Sequence, residues 1–431
     1  MRAAVIGLGK IGLPLAVQIT ENGIEVMGCD INPDVVDAVS TGSPHFPGEP
    51  QLADRLRIAV SSGRLIATES VARAVEESDV IVVVVPLLVD ASGNPEYSGI
   101  DKATEEIGNS LQRGQVVIYE TTLPIGATRG RFGPILERVS GHVAGTDFLL
   151  AFSPERVSSG TVFRDLRRYP KLVGGINSDS ARAAIAFYDQ ALTFDERPDL
   201  SRSNGVWDMG SAEAAEFVKL AETTYRDVNI ALANEFAVHA EQLGLDVHSL
   251  IVAANSQPYS HIHSPGVSVG GHCIPVYPRF YLAGDPEARL PAIGRETNRL
   301  QPKRAIERLA LLAGGLSGMR VAVLGLSYRG GVKESAYSGA FDLVACIEAL
   351  GGSAEVHDPM YSDEELKEFG FTPYRIGERI DAAVIQADHK EYESLHPDDL
   401  PGCQAMLDGR GVLNRKAWSG VGVSFATLGV G

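Results

Sequence analysis

The chain is poor in cysteine. It has four in 431 residues (Cys29, Cys273, Cys346 and Cys403), far apart and without CxxC spacing. That excludes a disulfide-stapled scaffold and a cysteine-based metal site, and the expected compartment is a reducing cytoplasm. Positive charge is also short: 38 Lys and Arg stand against 55 Asp and Glu, a net charge of −17. Nucleic acid and anionic membranes are gripped by basic faces, so neither is expected as a partner. A small anionic ligand needs only a local basic pocket and stays open. Long apolar runs are missing too. Val80-Ile-Val-Val-Val-Val-Pro86 falls far short of the ~20 residues that span a bilayer, and reads as a buried parallel strand. The N-terminus opens directly on a strand pattern, which leaves no room for a signal peptide.

At this length the chain is expected to hold two or three domains. Arg2–Ala16 reads as strand, glycine turn and helix, with Gly7, Gly9 and Gly12 in GxGxxG spacing and Lys10-Ile11 inside the turn. The first glycine makes the tight turn, the second lets a pyrophosphate approach, and the third lets helix pack on strand. The next strand, Ile24–Cys29, ends in Asp30, placed to accept from a ribose 2′-hydroxyl, which favours NAD over NADP. Helices at Pro33–Ser40, Ser70–Glu77 and Ile100–Leu111 alternate with strands at Val80–Val85 and Gln115–Tyr119. This is βαβ repetition and predicts a doubly wound parallel sheet. Ligands bind beyond the carboxyl ends of such strands, which hold Pro86, Glu120–Gly126 and Ser153-Pro-Glu-Arg156. On position alone, Thr122 is an active-site group or a turn hydroxyl, and Glu155 an active-site acid or a solvated loop acid.

Ala212–Leu243 lacks Gly and Pro and carries apolar residues at helical spacing. It predicts one long spine helix, a candidate dimer interface. Lys219, Thr223, Arg226 and Asn229 share a region of it, and helix pattern alone favours a solvated polar face. Asn255–Pro278 is a long loop, and loops of that length are usually functional. It ends in Gly270-Gly-His-Cys-Ile-Pro275. Cys273 is there either as a buried structural residue or as a thiol on a pocket floor. His261, His263 and His272 are expected to shape the loop. The last third echoes the first: Arg320–Leu326 repeats Arg2–Leu8, and Ser353–Pro359 repeats Glu25–Pro33. A helix is expected near Ala340–Leu350 and late strand and turn at Gln404–Leu407 and Leu413–Asn414. Arg329 and Lys333 follow the first strand of this second unit, where an anionic ligand would sit.

In this order, the motifs resemble the UDP-glucose/GDP-mannose dehydrogenase family over essentially the whole chain, and within it the UDP-N-acetylhexosamine branch. Ser153-Pro-Glu-Arg, Tyr225–Glu235, Gly270–Pro275, Glu120–Gly126 and Tyr328–Ser335 carry the likeness. The resemblance implies two Rossmann-like α/β domains joined by a long central helix. The expected division is 1–200 for NAD, 201–300 for the spine helix and thiol loop, and 301–431 for the UDP-sugar. It implies a four-electron oxidation of a C6 alcohol to a uronic acid with two NAD, in a homodimer or larger homo-oligomer without metal, serving polysaccharide or related biosynthesis. Cys273 would capture the aldehyde, Lys219 would hold the C6 oxygen and supply charge to the thiol, and Thr122 and Glu155 would hold and activate water. The expected cofactor set is Gly7, Gly9, Lys10, Ile11, Gly12, Asp30, Pro86, Thr122 and Lys333. The expected substrate set is Glu155, Arg156, Lys219, Thr223, Gly271, Tyr328 and Arg329. Two departures fall in the catalytic pattern: Tyr277 stands where the family carries an Asp four residues after the Cys, and Thr223 where it carries an Asn four after the Lys. They leave open UDP-glucose as substrate, or an altered member that stops at the aldehyde or only binds. Leu87-Leu88 replaces the family's usual Thr-Pro. A two-electron β-hydroxyacid dehydrogenase is the runner-up, but would need neither the thiol loop nor the second α/β unit.

Overall fold

A computed structural model describes residues 1–431. The chain forms two compact units, Met1–Glu222 with Arg279–Pro286, and Thr223–Pro278 with Glu287–Gly431.

The first unit runs β1 (Arg2–Ile6), α1 (Gly12–Glu21), β2 (Glu25–Cys29), α2 (Pro33–Ser40), α3 (Leu52–Ser61), β3 (Leu65–Thr68), α4 (Val71–Glu76) and β4 (Val80–Val83). A small hairpin, β5 (Leu88–Val89) and β6 (Pro95–Glu96), then leads to α5 (Ser98–Ser110) and β7 (Val116–Tyr119). Next come α6 (Gly133–Ser140), β8 (Leu149–Phe152), α7 (Val162–Arg168), β9 (Lys171–Gly175), α8 (Ser178–Ala191) and β10 (Val206–Asp208). The starts of α2, α4 and α8 are written in side chains. Asn32, Ser70 and Asn177 each accept a hydrogen bond from a first-turn N–H, satisfying donors that a helix otherwise leaves unpaired. The sheet order is β10-β9-β8-β7-β4-β1-β2-β3. Its central strands are buried on both faces, with Val5, Val82, Ile118 and Ala151 packed against Leu13, Val17, Ala184 and Phe187.

The sheet is not parallel throughout. β9 runs antiparallel to β8, with Ala151 opposite Gly175 and Phe152 opposite Gly174, and β10 follows β9. The reversal was not foreseen in the βαβ pattern. It brings Lys171, the first residue of β9, to the edge where β7 and β8 end.

The spine helix is α9 (Ala212–Gln242), one 31-residue helix crossing the division between the units at Glu222. Phe217, Tyr225, Leu232 and Phe236 are exposed on it, within an arc of roughly 100° at 3.6 residues per turn.

In the second unit α9 continues to α10 (Val247–Ala254). Then α11 (Tyr277–Gly284), most of it belonging to the first unit, precedes α12 (Arg289–Arg299) and α13 (Gln301–Ala313). The second sheet is built from β11 (Arg320–Leu324), α14 (Gly339–Ala349), β12 (Ser353–His357), α15 (Asp363–Glu368), β13 (Ala382–Ile385), β14 (Ala405–Asp408), α16 (Arg415–Trp418) and β15 (Ser424–Thr427). Its strands are all parallel, in the order β12-β11-β13-β14-β15. Val321, Val323 and Val384 face Ile306, Leu309 and Leu343, while Leu324, Ile385 and Met406 face Tyr392 and Trp418. Both sheets are thus doubly wound, as expected.

Within the second unit, α9 and α12 are locked by a buried ion pair. Arg295 grips both oxygens of Asp227, and Asn298 donates to the Asp227 carboxylate at 2.7 Å and accepts from the Asn234 amide at 2.9 Å. Removing one partner of a buried pair leaves an uncompensated charge, at a cost of about 3–5 kcal/mol. Asp227→Ala is therefore expected to destabilise the protein by that order in denaturant unfolding. A loss under ~1 kcal/mol would show that the pair is not stabilising.

Candidate active site

The glycine turn after β1 has the geometry the fingerprint requires. Gly7 adopts φ +97°, and a Cβ there would lie 3.0 Å from the Val84 carbonyl oxygen. A Cβ on Gly12 would come within 1.9 Å of the Gly7 carbonyl oxygen, so only glycine lets α1 start here. Gly9 is exposed, and a Cβ built on it would meet no protein atom within 4 Å. That open approach leads to the N-terminus of α1, whose cap residue Ile11 gives no side-chain bond and whose N–H groups suit a diphosphate. Asp30 closes the turn from β2, accepting from Leu8 N–H at 2.9 Å and Asn32 N–H at 3.0 Å. These groups fit an NAD: the turn for the diphosphate, Asp30 for a ribose.

At the same edge of the sheet, Thr121 donates to the Val85 carbonyl at 2.6 Å, tying the end of β7 to the end of β4. Thr122 beside it is buried, and Pro86 is exposed. Glu155 is not a solvated loop acid. Its side chain is 12% exposed, and its carboxylate accepts from the backbone N–H groups of Arg156 and Val157. Lys219, on α9, donates from Nζ to the Glu155 backbone carbonyl, and Arg156 pairs with Glu222 one turn on. The expected solvated polar face of α9 is corrected here: Lys219 and Thr223 are both buried, and Asn229 is half-buried against the loop, donating to the His261 carbonyl at 2.7 Å. Arg226 alone of the four is exposed.

Beneath Glu155 lies a cluster that sequence reading missed. Lys171 Nζ donates to Glu155 at 3.2 Å and to Glu120 at 2.7 Å, and Tyr188 donates to the other Glu120 oxygen. All three added members are buried. Burial pushes the Glu120 carboxyl up to about 7, opposed by Lys171 and reinforced by Glu155. Burial also works against ionisation of Glu155, yet Lys171, the backbone donors and Lys219 hold its carboxyl below the usual range. Glu120 and Glu155 in turn hold the Lys171 ammonium above its ordinary value against burial. Glu120 and Lys171 are 51 residues apart in sequence, so no local motif marks the pair.

In the second unit, Gly270 and Gly271 are required by close approach. A Cβ on Gly270 would lie 2.6 Å from Tyr328 Cβ, and Gly271, at φ +89°, sits against the Tyr328 ring. Gly271 N–H bonds to the Ala336 carbonyl at 2.8 Å. The structure thus brings together two members of the expected substrate set, Gly271 and Tyr328. Arg329 donates to the Tyr328 hydroxyl at 3.0 Å. Lys333, expected at the cofactor, pairs with Glu365 and lies over the Tyr361 ring. Half-buried Cys273 opens the turn into α11, its carbonyl accepting from Tyr277 N–H at 2.9 Å. The loop before it is held to α9 through its backbone, where Asn229 accepts from His263 N–H and Asn234 from Gly266 N–H, and through the His263 ring tilted against Tyr225.

Three family descriptions match the chain in order: the NAD binding domain over residues 1–192, the central domain over 213–295, and the UDP binding domain over 322–415. The chain belongs to the UDP-glucose/GDP-mannose dehydrogenase family. It is an NAD-dependent nucleotide-sugar dehydrogenase of that family. A UDP-N-acetyl-D-mannosamine dehydrogenase from Pyrococcus horikoshii is 34% identical, with all of both chains covered. An NDP-N-acetyl-D-galactosaminuronic acid dehydrogenase from Ralstonia solanacearum is 32% identical over 96% of each chain. The solved structure of a UDP-N-acetylmannosamine dehydrogenase from P. horikoshii matches at a TM-score of 0.88 and 32% identity, covering 100% of this chain and 99% of that one. For this family member, the glycine turn yields a direct test. Asp30→Asn removes a charged acceptor worth about 1.5–3 kcal/mol, so the NAD dissociation constant should rise tenfold or more in a calorimetric titration. An unchanged constant would remove Asp30 from the ribose.

Proposed function

We propose that this dehydrogenase oxidises the C6 hydroxyl of a UDP-N-acetylhexosamine, UDP-N-acetylmannosamine first, to the uronic acid. The observation that carries this reading is the buried Lys219 held by the Glu155 backbone carbonyl at the carboxyl edge of the sheet that bears the glycine turn. The full-length likeness to enzymes named for N-acetylmannosamine supports the sugar. In this reading residues 1–200 hold NAD, 201–300 carry the spine helix and Cys273, and 301–431 hold the UDP moiety through Tyr328 and Arg329.

Lys219 steadies the C6 oxygen as the alcohol loses a proton and a hydride to become an aldehyde. The Cys273 sulfur adds to the aldehyde carbon, giving a thiohemiacetal. Loss of a second hydride from carbon, with the hydroxyl proton, leaves a thioester. Water, held by Thr122 and deprotonated by Glu155, attacks it, releasing the carboxylate and restoring the thiol. NAD held by the Gly7–Gly12 turn and Asp30 would supply the hydride acceptor for both oxidations, two per sugar. Thr223 and Tyr277 replace an amide and a carboxylate in the family pattern, which leaves Glu155 to take the water's proton.

The exposed apolar stripe of α9 supports a homodimer closed over that helix. No helix of the chain is long and apolar enough to cross a membrane. The four free cysteines accord with a cytoplasmic setting.

The deciding experiment follows NADH per sugar consumed with UDP-N-acetylmannosamine and, in parallel, UDP-glucose. Two NADH and a uronic acid are expected from the N-acetylmannosamine substrate, and Cys273→Ser should lower acid formation by roughly 10³-fold or more. One NADH with free aldehyde would place the block at thioester formation. No NADH from any UDP-sugar, with NAD still bound, would overturn the proposal.

A further inference from the structure

The proposed mechanism asks Glu155 to be an ionised base while it lies largely out of water. Taking a carboxylate out of water favours its neutral form, by as much as several pH units when burial is complete. Something must hold the charge. Five groups surround Glu155: Lys171 from β9, Glu120 at the end of β7, Tyr188 from α8, and Lys219 and the Arg156–Glu222 pair beside α9. Lys219 donates to the Glu155 backbone carbonyl and adds its charge nearby, and Arg156 pairs with Glu222. Lys171 places its ammonium on the Glu155 carboxylate itself, at 3.2 Å, and is the stronger of the two lysines in holding that carboxyl down.

Lys171 is itself built in. It is 5% exposed, stacks over the Tyr188 ring at 4.8 Å, and is held at 2.7 Å by Glu120, which Tyr188 grips from the other side. We infer that Lys171 is a positioning residue for the dehydrogenase reaction, the buried counter-ion that keeps Glu155 ionised and aimed, and that Glu120 with Tyr188 fixes Lys171 in that place. The inference rests on Glu155 acting as the water's base. An opposite charge at this distance lowers a carboxyl's titration by about one to three pH units, and the held-down carboxyl of Glu155 agrees with that.

The sign of the effect follows. The base works only when deprotonated, so losing Lys171 raises the pH at which Glu155 ionises and moves the acid limb of kcat upward. The test measures kcat against pH, at saturating NAD and UDP-N-acetylmannosamine, for the full-length wild type and four variants. Lys171→Met should move the acid limb up by at least one unit: kcat falls tenfold or more at pH values on the acid side of the wild-type limb, yet recovers to within about threefold of wild type at pH 9. Lys171→Gln, which keeps hydrogen bonds to both carboxylates and no charge, should do the same and stands in if the Met variant does not fold. Lys171→Arg should return the limb to the wild-type position. Glu120→Gln leaves the ammonium one carboxylate, so the limb stays or moves down. A uniform loss of kcat at every pH would reduce Lys171 to a structural role and overturn the inference, as would an upward limb in Glu120→Gln. Glu155→Gln separates the two readings. If it retains full turnover, the base role itself falls. If it is inactive while the Lys171 limbs stay in place, only the counter-ion role falls.

Discussion

Two carboxylates share one buried ammonium in the first unit, and much of the surrounding architecture can be read from that arrangement. Glu120 ends β7, Glu155 follows β8, and Lys171 opens β9. With Phe152 opposite Gly174 in antiparallel register, each step outward pairs a later residue with an earlier one, and the third step sets Glu155 against Lys171. The Ser153 hydroxyl bonded to the Leu172 carbonyl at 2.7 Å continues the same ladder. In a parallel β9 the first residue would lie at the opposite edge of the sheet, about 3.3 Å further per residue. The strand reversal is therefore what allows a lysine to meet acids at the carboxyl ends of its neighbours.

That constraint also explains why the cluster has to be complete. A buried ammonium with one carboxylate is a neutral pair; a second carboxylate adds a charge that the interior resists. The resistance falls on Glu120, the more deeply buried of the two acids, and its carboxyl is pushed to about 7, while Glu155 keeps its charge. The backbone donors on Glu155 tip the division. Charge-assisted bonds from fixed N–H groups strengthen a carboxylate without adding a titrating group. A second buried acid, Glu216, meets the same demand differently. Burial raises it to about 7, and Gly126 and Thr128 supply donors for its oxygens.

The parts of this molecule that were legible in the sequence are those governed by local rules. The glycine spacing announced the turn, and the forbidden Cβ positions at Gly7 and Gly12 show why no other residue serves there. Helices α2 and α9 fall where capping and the absence of Gly and Pro put them. What stayed hidden is non-local. β3 is a four-residue edge strand, and β9 is a five-residue run ending in two glycines. Its direction is set by pairing with β8, which leaves no periodic signal. The buried polar residues of α9 read as solvated because a helix pattern records which faces are polar, not which are covered.

The repeat of the first unit in the second shows how the same fold loses one binding habit. Asp358 ends β12 as Asp30 ends β2, and Gly325 N–H bonds to the His357 carbonyl as Gly7 N–H bonds to that of Cys29. But Asp358 is 2% exposed and already engaged by Leu326, Ser327 and His389. Its other oxygen accepts from Met360 N–H at 2.8 Å, so both are spent inside the fold. The chain then takes a long loop to α14 in place of a tight glycine turn, and that loop carries Tyr328 and Arg329, the aromatic and the cation suited to a base and a phosphate. The shared strand order thus keeps the scaffold, while the equivalent acid, buried in the second unit, braces the turn between β11 and its loop.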